Sequence, residues 1–246
     1  MSTRSQLYGS GVFTTVRVVN RKPWLWEKHW NRIEHNAAKL GIDLCSVRSD
    51  SLLRSIYETI PEDHLGLRKL RITIEDRRTA PLWCDEEVQV PVWLTFLEAQ
   101  ISETPRPFRI GISPSRTNST SPIAGLKTCN YLEQTMSLDE AKTHGLNEAV
   151  RLNERGHVTS ACMANVFWLK DEEIFTPALS TGCLPGTTRE FVIENLKVSE
   201  VEVGVDEVRN VDAIYITSAG LGVVAVDEFE GRTMSGHDHS ILSLVQ

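Results

Sequence analysis

The chain has 246 residues, of which 41% are hydrophobic and 24% are charged, a globular composition that excludes disordered, collagen-like and coiled-coil proteins. Lys and Arg number 26 and Asp and Glu number 33, so the formal net charge is −7. Such an acidic chain is a poor general nucleic-acid binder, because neutralising phosphates requires a cationic surface. Apolar runs stay far below the roughly 18 residues of a membrane-spanning helix, and residues 1–13 do not resemble a signal peptide. We therefore expect a cytoplasmic protein without a membrane or nucleic-acid partner.

The cysteines are scattered and form no Cys-x-x-Cys pair, and the histidines show no His-Glu-x-x-His motif. Scattered cysteines in odd number favour reduced thiols in a cytoplasmic protein. The same spacing predicts no metal site. The five cysteines are Cys45, Cys84, Cys129, Cys162 and Cys183.

The first hundred residues show an α+β pattern. β-Branched and aromatic residues predict a strand over 11–19, and apolar residues spaced by three and four predict a helix over 27–40, ended by Gly41. The other predicted elements are a turn at 20–23, a short strand at 23–25, a helix at 50–59, and strands at 70–74 and 88–97.

The composition changes at residues 105–122, which are rich in proline, serine and threonine and predict a linker or loop containing a strand at 108–113. We therefore expect two α+β domains, at 1–104 and 123–246. In the second domain the predicted helices lie at 130–144 and 187–196. Its predicted strands lie at 148–152, 157–161, 166–170, 201–205, 213–217 and 223–229.

Lys127 follows a run of small and apolar residues and precedes a predicted helix. Desolvation and the positive end of a helix both disfavour a charged lysine, so we expect the pKa of Lys127 to be lowered. A neutral lysine can attack an aldehyde and form a Schiff base. The alternative is an ordinary surface lysine at a helix start.

Three further features are candidate anion sites. Gly186, Thr187 and Thr188 open a helix, where amide groups and hydroxyls suit a phosphate, although a threonine there also serves as a simple cap. The small residues 217–220 after a strand suit a second phosphate contact or an ordinary turn. Arg32 lies at the edge of the apolar helix face, where an arginine either binds a phosphate through two N–H groups or stays solvated.

In order and spacing these segments resemble the fold-type IV pyridoxal-phosphate enzymes, the class IV aminotransferase family, which includes D-amino-acid and branched-chain aminotransferases. The resemblance covers most of the chain, and three segments are similar to the aminodeoxychorismate lyase branch. The segments that carry it are Tyr8-Gly-Ser-Gly-Val-Phe, His29-Trp-Asn-Arg32, Gly125-Leu-Lys127 with Asn130-Tyr-Leu-Glu-Gln, Asn147-Glu-Ala-Val, Ala164-Asn165-Val-Phe-Trp and Gly186-Thr-Thr-Arg.

The resemblance implies a two-domain α+β fold, a homodimer, and pyridoxal 5'-phosphate bound in the cleft between the domains. It makes Lys127 the Schiff-base lysine and catalytic base. The other implied cofactor-binding residues are Arg32, Ser160, Asn165, Gly186, Thr187, Thr188, Ser218 and Ala219. Candidate substrate-contacting residues are Tyr8, Arg17, Arg71, Arg116 and Tyr131, each of which also suits a structural or surface role.

Position 160 departs from the family pattern, in which a glutamate pairs with the pyridine nitrogen of the cofactor. Ser160 can hydrogen-bond that nitrogen but cannot hold a proton on it by charge. The weaker electron sink suits an elimination better than a transamination. We therefore expect a lyase that converts 4-amino-4-deoxychorismate to 4-aminobenzoate and pyruvate in folate biosynthesis. The alternatives are a branched-chain or D-amino-acid aminotransferase, and an impaired family member with a binding role.

Overall fold

A computed structural model describes residues 3–60, 66–78, 93–100 and 104–245. These residues divide into two compact units, one comprising residues up to 101 together with 127–131, the other comprising 102–126 and 132–246. Both units combine helices with sheets, so the predicted α+β class is confirmed. The chain passes into the second unit at residue 102 and returns to the first for five residues, 127–131, around Lys127.

The first unit is a four-stranded antiparallel sheet with the order β2-β1-β3-β4. Its elements in chain order are α1 (Arg4–Tyr8), β1 (Gly11–Val19), β2 (Lys22–Pro23), α2 (Trp26–Lys39), α3 (Ser49–Thr59), β3 (Leu67–Glu75) and β4 (Trp93–Gln100). Alternate residues of β1 and β3, such as Val16 and Ile72, pack under α2 and α3 in one core. The opposite face of β1 carries Phe13 and Arg17, because side chains alternate along a strand.

The second unit contains two five-stranded sheets, with the orders β14-β13-β5-β6-β7 and β10-β9-β8-β11-β12. The helices are α4 (Leu132–Thr143), α5 (Thr187–Asn195) and α6 (Val205–Arg209). The strands are β5 (Arg109–Thr117), β6 (Glu148–Asn153), β7 (Val158–Ala161), β8 (Asn165–Lys170), β9 (Glu173–Pro177), β10 (Val198–Val201), β11 (Ala213–Ser218), β12 (Gly222–Ala225), β13 (Glu228–Phe229) and β14 (Arg232–Thr233).

The two sheets of the second unit enclose a shared core. Val150 and Leu152 from the first sheet pack with Val166 and Ile216 from the second. On the outward faces, α4 covers β6 through Ala141 and Ala149, and α5 covers β8 and β11 through a cluster that includes Val192. The outward face of each sheet is therefore the one on which helices lie, and side chains there alternate with core residues.

Several predicted elements differ from the structure. The strand expected at 108–113 within the linker is present but longer, as β5 (Arg109–Thr117), which pairs with β6 and β13. The strand expected at 201–205 lies at Val198–Val201, and α6 begins at Val205. The strand expected at 223–229 is split between β12 and β13, which belong to different sheets. β9 and α1 were not predicted, and residues 88–92 of the expected strand at 88–97 lie outside the described residues.

Four of the five cysteines, Cys45, Cys129, Cys162 and Cys183, are free thiols. Cys84 lies outside the described residues. In the described part of the chain, no helix is both long and apolar enough to cross a bilayer. Over the same residues, no cluster of three His, Cys, Asp or Glu side chains could hold a metal ion.

Candidate active site

Lys127 belongs to a short extended segment that lies along the start of β1. The amide of Phe13 donates to the Lys127 carbonyl at 3.0 Å, and the amide of Cys129 donates to the Gly11 carbonyl at 2.8 Å. Gly11 allows this close approach, because a Cβ there would lie 2.9 Å from both Cys129 Sγ and the Ile74 carbonyl oxygen. The backbone pairing therefore fixes where the Lys127 side chain leaves the chain.

Two aromatic rings surround the Lys127 amine. Its Nζ lies 4.4 Å from the ring centroid of Phe13, 4.7 Å from that of Tyr131 and 3.4 Å from the Tyr131 hydroxyl. The two rings form an edge-to-face pair with centroids 5.1 Å apart. Tyr131 thus offers Lys127 one polar contact within a largely aromatic environment.

Burial lowers the pKa of Lys127 well below its ordinary value, and the positive charges of Arg32 and Arg71 lower it further. Arg71 reaches the amine across Phe13, with its guanidinium carbon 3.6 Å from the ring centroid. The lowered pKa agrees with the sequence-based expectation, but the second cause differs. α4 begins only at Leu132, and neighbouring cations provide the electrostatic contribution that was attributed to a helix end. Near neutral pH this environment favours an uncharged, nucleophilic amine.

Arg32 extends from α2 towards β1. Its Nη2 donates to Thr14 Oγ1 at 2.8 Å, and the same hydroxyl lies 2.7 Å from His29 Nδ1. Burial, Arg32 and Lys127 together lower the pKa of His29 well below its ordinary value, so its imidazole is neutral. A neutral Nδ1 can accept the Thr14 proton, which leaves the lone pairs of Thr14 for Arg32.

In the second unit, Gly186 is the N-cap of α5 and makes no side-chain cap. The first intrahelical bond runs from the Glu190 amide to the Gly186 carbonyl at 2.9 Å, so the amides of Thr188 and Arg189 have no acceptor within the helix. Thr187 and Thr188 are the first helical residues rather than caps, so simple capping by a threonine is excluded.

Asn165 lies directly against the start of α5. A Cβ on Gly186 would be 2.0 Å from Asn165 Oδ1, so only glycine permits this contact. Asn165 Nδ2 donates to the Leu184 carbonyl at 2.8 Å, and Asn165 faces Thr217 in the β8–β11 ladder. The helix start and the ends of two strands therefore form one contiguous group.

Two hydroxyls in this group are buried and have no hydrogen-bond partner among the described residues. They are Thr188 Oγ1, on a residue 2% exposed, and Thr217 Oγ1, on a residue 1% exposed. Buried polar atoms in native proteins are nearly always satisfied, so these two hydroxyls are available to hydrogen-bond a bound group. Ser218, which follows Thr217, accepts from the Leu221 amide at 3.1 Å, and Ala219 follows it in the turn.

Ser160 lies across the β7–β8 turn from Asn165. The turn from β7 to β8 is closed by a 2.9 Å bond from the Ala161 amide to the Ala164 carbonyl, and Ser160 and Asn165 flank this bond. Ser160 is partly exposed and faces Arg151 in the β6–β7 ladder. Its hydroxyl makes no hydrogen bond within the described residues.

The candidate substrate-contacting residues fall into two groups. Arg71 and Tyr131 lie beside Lys127, and Arg17, on the same face of β1 as Phe13, is 4% exposed. Within the described residues, Nε and Nη1 of Arg17 have no partner. In contrast, Tyr8 is 52% exposed at the end of α1, and Arg116 is exposed on β5.

Four residues at these sites were not predicted. Thr14 and His29 orient Arg32, and Arg151 is opposite Ser160. Glu148, a buried carboxylate whose pKa is raised by burial, accepts from the amides of Cys162 and Met163 and so holds the turn that precedes Asn165. The spacing of His29 and Arg32 on one helix was a usable signal, whereas the other contacts depend on strand register.

Comparisons with known proteins identify the family to which the chain belongs. A family model described as "Amino-transferase class IV" matches residues 11–229. The aminodeoxychorismate lyase of Vibrio harveyi is 27% identical over 233 residues, covering 92% of this chain and 85% of the relative. The branched-chain-amino-acid aminotransferase of Escherichia coli K12 is 26% identical over 220 residues, covering 85% of this chain and 71% of the relative.

Among solved structures, a Legionella pneumophila protein provisionally described as a 4-amino-4-deoxychorismate lyase superimposes with a TM-score of 0.89 at 26% identity. The match covers 99% of this chain and 91% of that protein. The expected fold-type IV architecture is thereby confirmed. Because the family model spans residues 11–229 of 246, the chain belongs to the class IV aminotransferase family.

Proposed function

We propose that this protein is a lyase that converts 4-amino-4-deoxychorismate to 4-aminobenzoate and pyruvate, a step of folate biosynthesis. Its family consists of pyridoxal 5'-phosphate enzymes, and relatives that carry the lyase name align along nearly the whole chain. Within the family, Ser160 is the observation that favours a lyase over an aminotransferase. It places a neutral group at the position that the resemblance implies to face the pyridine nitrogen.

The residues present fit the cofactor. The orphaned hydroxyls of Thr188 and Thr217, with the amides of Thr188 and Arg189 that have no acceptor within α5, are donors of the kind that a phosphate requires. Lys127 supplies an amine with a lowered pKa for the aldehyde. We assign the phosphate to Thr187, Thr188 and Ser218, with Gly186, Asn165 and Ala219 shaping its surroundings, and the family resemblance alone adds Arg32. None of these roles requires a metal ion.

When bound, pyridoxal phosphate withdraws electrons from the carbon that bears the substrate amine. Lys127 Nζ removes the proton from that carbon, which an amine with a lowered pKa can do near neutral pH. The C–O bond to the enolpyruvyl group then breaks, and a proton returned to the departing group gives pyruvate. The remaining ring becomes aromatic, so atoms balance without an oxidant or a water. Tyr131 holds the Lys127 amine in place through its hydroxyl.

The substrate carries two carboxylates, which require cationic partners. Arg17 and Arg71 are our candidates, because Arg17 is buried with unpaired N–H groups and Arg71 lies beside Lys127. Arg116 and Tyr8 are exposed, and their contact with the substrate stays a prediction.

Release of pyruvate tests the proposal. The protein, loaded with pyridoxal phosphate, is incubated with 4-amino-4-deoxychorismate, and pyruvate and 4-aminobenzoate are measured together. We expect equal amounts of both products, and neither from Lys127→Ala. Borohydride should fix the cofactor to Lys127, as read from a labelled peptide.

The relatives also include branched-chain aminotransferases, which makes amino transfer the second candidate. Amino transfer from branched-chain or D-amino acids to 2-oxoglutarate, without pyruvate release, would reject the lyase in favour of an aminotransferase. A folded protein that binds no cofactor would instead support the non-catalytic alternative.

We also propose a cytoplasmic homodimer. Leu132 and Met136, one turn apart on α4, are 66% and 62% exposed, which supports an apolar contact surface there. Light scattering of the purified protein would measure the mass, and a monomer at micromolar concentration would reject the dimer.

A further inference from the structure

Arg151 is a buried cation next to Ser160. It lies on β6 and is only 2% exposed. Among the described residues it is the largest side chain that is fully buried. The β6–β7 register places it directly opposite Ser160, so the two side chains share one face of the sheet. That face is the outward one, because Val150 and Leu152, on either side of Arg151, point into the shared core.

The positive charge of Arg151 is only partly balanced by a negative partner. Its Nη2 lies 2.7 Å from Glu133 Oε1 on α4, but Glu133 is 54% exposed to water. Neither Nε nor Nη2 makes a hydrogen bond of good geometry with a described residue. Glu148, the buried carboxylate nearby, is committed to the amides of Ala149, Cys162 and Met163. A buried guanidinium with unused donors calls for an acceptor.

Arg151 also adjoins the group that we assign to the cofactor. Ser160 and Asn165 flank the bond that closes the β7–β8 turn, and Asn165 contacts Gly186 at the start of α5. Asn165 and Thr217 are on the outward face of their sheet, opposite to the core residues Val166 and Ile216. Ser160, with Arg151 opposite it, and Asn165 therefore lie on the two sides of the turn that joins the two sheets.

We propose that Arg151, acting through Ser160, keeps the pyridine nitrogen of the bound cofactor unprotonated. The proposal rests on the proposed function, since it concerns the same cofactor. A guanidinium only donates, so Ser160 can accept from Arg151 and direct its own proton to the ring nitrogen. The positive charge of Arg151 opposes a second charge on that nitrogen. Arg151 is thus a positioning residue, and it makes the ring a weak electron sink that favours elimination over amino transfer.

The charged and titratable groups near Arg151 include Glu133 from α4 and Glu148 and Cys162 from the adjoining strands and turn. Burial raises the pKa of Cys162 to about 12, so this thiol stays neutral across the range of interest. Glu133 is the group that offsets the charge of Arg151, and its substitution should act in the opposite direction to that of Arg151.

The test is nitrogen NMR of the protein loaded with pyridoxal phosphate labelled with 15N in the ring. The resonance is followed from pH 5 to pH 9 in the wild type, Arg151→Met, Arg151→Lys and Ser160→Ala. We expect the protonation midpoint to rise by about one pH unit or more in Arg151→Met and in Ser160→Ala, and to stay near the wild-type value in Arg151→Lys. Glu133→Gln should lower it.

The experiment distinguishes a failure of the proposed function from a failure of this inference alone. If the wild type binds no cofactor, the proposed function fails and this inference falls with it. If the cofactor binds and the midpoint is the same in the wild type and Arg151→Met, this inference alone is rejected. Should Arg151→Met not fold, Ser160→Ala decides, because an unchanged midpoint there excludes a role for Arg151 through Ser160.

Discussion

Arg32 on α2 donates a 2.8 Å hydrogen bond to the hydroxyl of Thr14 on β1, so one residue of the first strand orients the proposed phosphate-binding arginine. The hydroxyl is held in turn by His29, which burial and neighbouring cations keep neutral. An arginine fixed in this way loses less side-chain entropy on binding an anion than a solvated one.

Thr14→Val should weaken the binding of pyridoxal phosphate but not of pyridoxal. A hydrogen bond to a charged group contributes about 1.5–3 kcal/mol, so we expect the dissociation constant of the phosphorylated cofactor to rise by about tenfold or more. Titration of the apoprotein with both compounds measures the difference, and Thr14→Ser, which keeps the hydroxyl, is the control. An equal loss for both compounds would show that Thr14 does not act through the phosphate.

Lys127→Met should stabilise the apoprotein, and the gain should depend on pH. The pKa of Lys127 is lowered by folding, so the unfolded chain binds more protons than the folded one between that pKa and about 10.5. The stability of the wild type therefore rises with pH over this window, and this contribution is absent in the variant. Urea unfolding should show a gain that is largest at low pH and vanishes near pH 10.5. A gain independent of pH would mean that packing alone is responsible.

Local sequence pattern predicted much of the fold. β1 matches the β-branched run at 11–19, and α2 differs from the predicted helix at 27–40 by one residue at each end. Valine alternates with other residues over 201–205, a pattern that predicts a strand there, but β10 ends at Val201 and Gly204 caps the following helix. β12 and β13 separate because Asp227 between them binds the Phe108 amide and Arg106, a long-range contact with no local signal.

The candidate site likewise combines residues that the local sequence indicated with residues that only strand register brings together. Lys127 and the start of α5 were indicated by neighbouring residues along the chain. Arg71 beside Phe13, and Arg151 opposite Ser160, follow from strand register, and the β6–β7 register shifts next to Arg151. A shift of one residue in a ladder moves a side chain to the other face of the sheet. Sequence alone could therefore not pair Arg151 with Ser160.

Thr188→Val should affect stability and binding in opposite directions. The variant removes a buried hydroxyl that has no partner among the described residues while nearly keeping the side-chain shape, so the apoprotein should be as stable as the wild type or more stable. Affinity for pyridoxal phosphate should fall, because a phosphate donor is lost. Thermal unfolding with and without cofactor measures both effects, and Thr217→Val should behave alike. A variant that loses stability without cofactor would show that the hydroxyl is satisfied in the apoprotein.

Gly186→Ala should abolish cofactor binding at low concentration. The added Cβ would lie 2.0 Å from Asn165 Oδ1, so the Asn165 side chain must move, which strains its bond to the Leu184 carbonyl. Overpacking of this kind costs about 1–3 kcal/mol, and here it also displaces the start of α5. Gly204→Ala is a matched control, because Gly204 is likewise a helix N-cap, with φ −74° against −71°, and its Cβ would meet nothing closer than 3.9 Å. We expect equilibrium titration to show a large rise in the dissociation constant for Gly186→Ala and wild-type affinity for Gly204→Ala. Equal affinities in the two variants would exclude Asn165 and the start of α5 from the cofactor site.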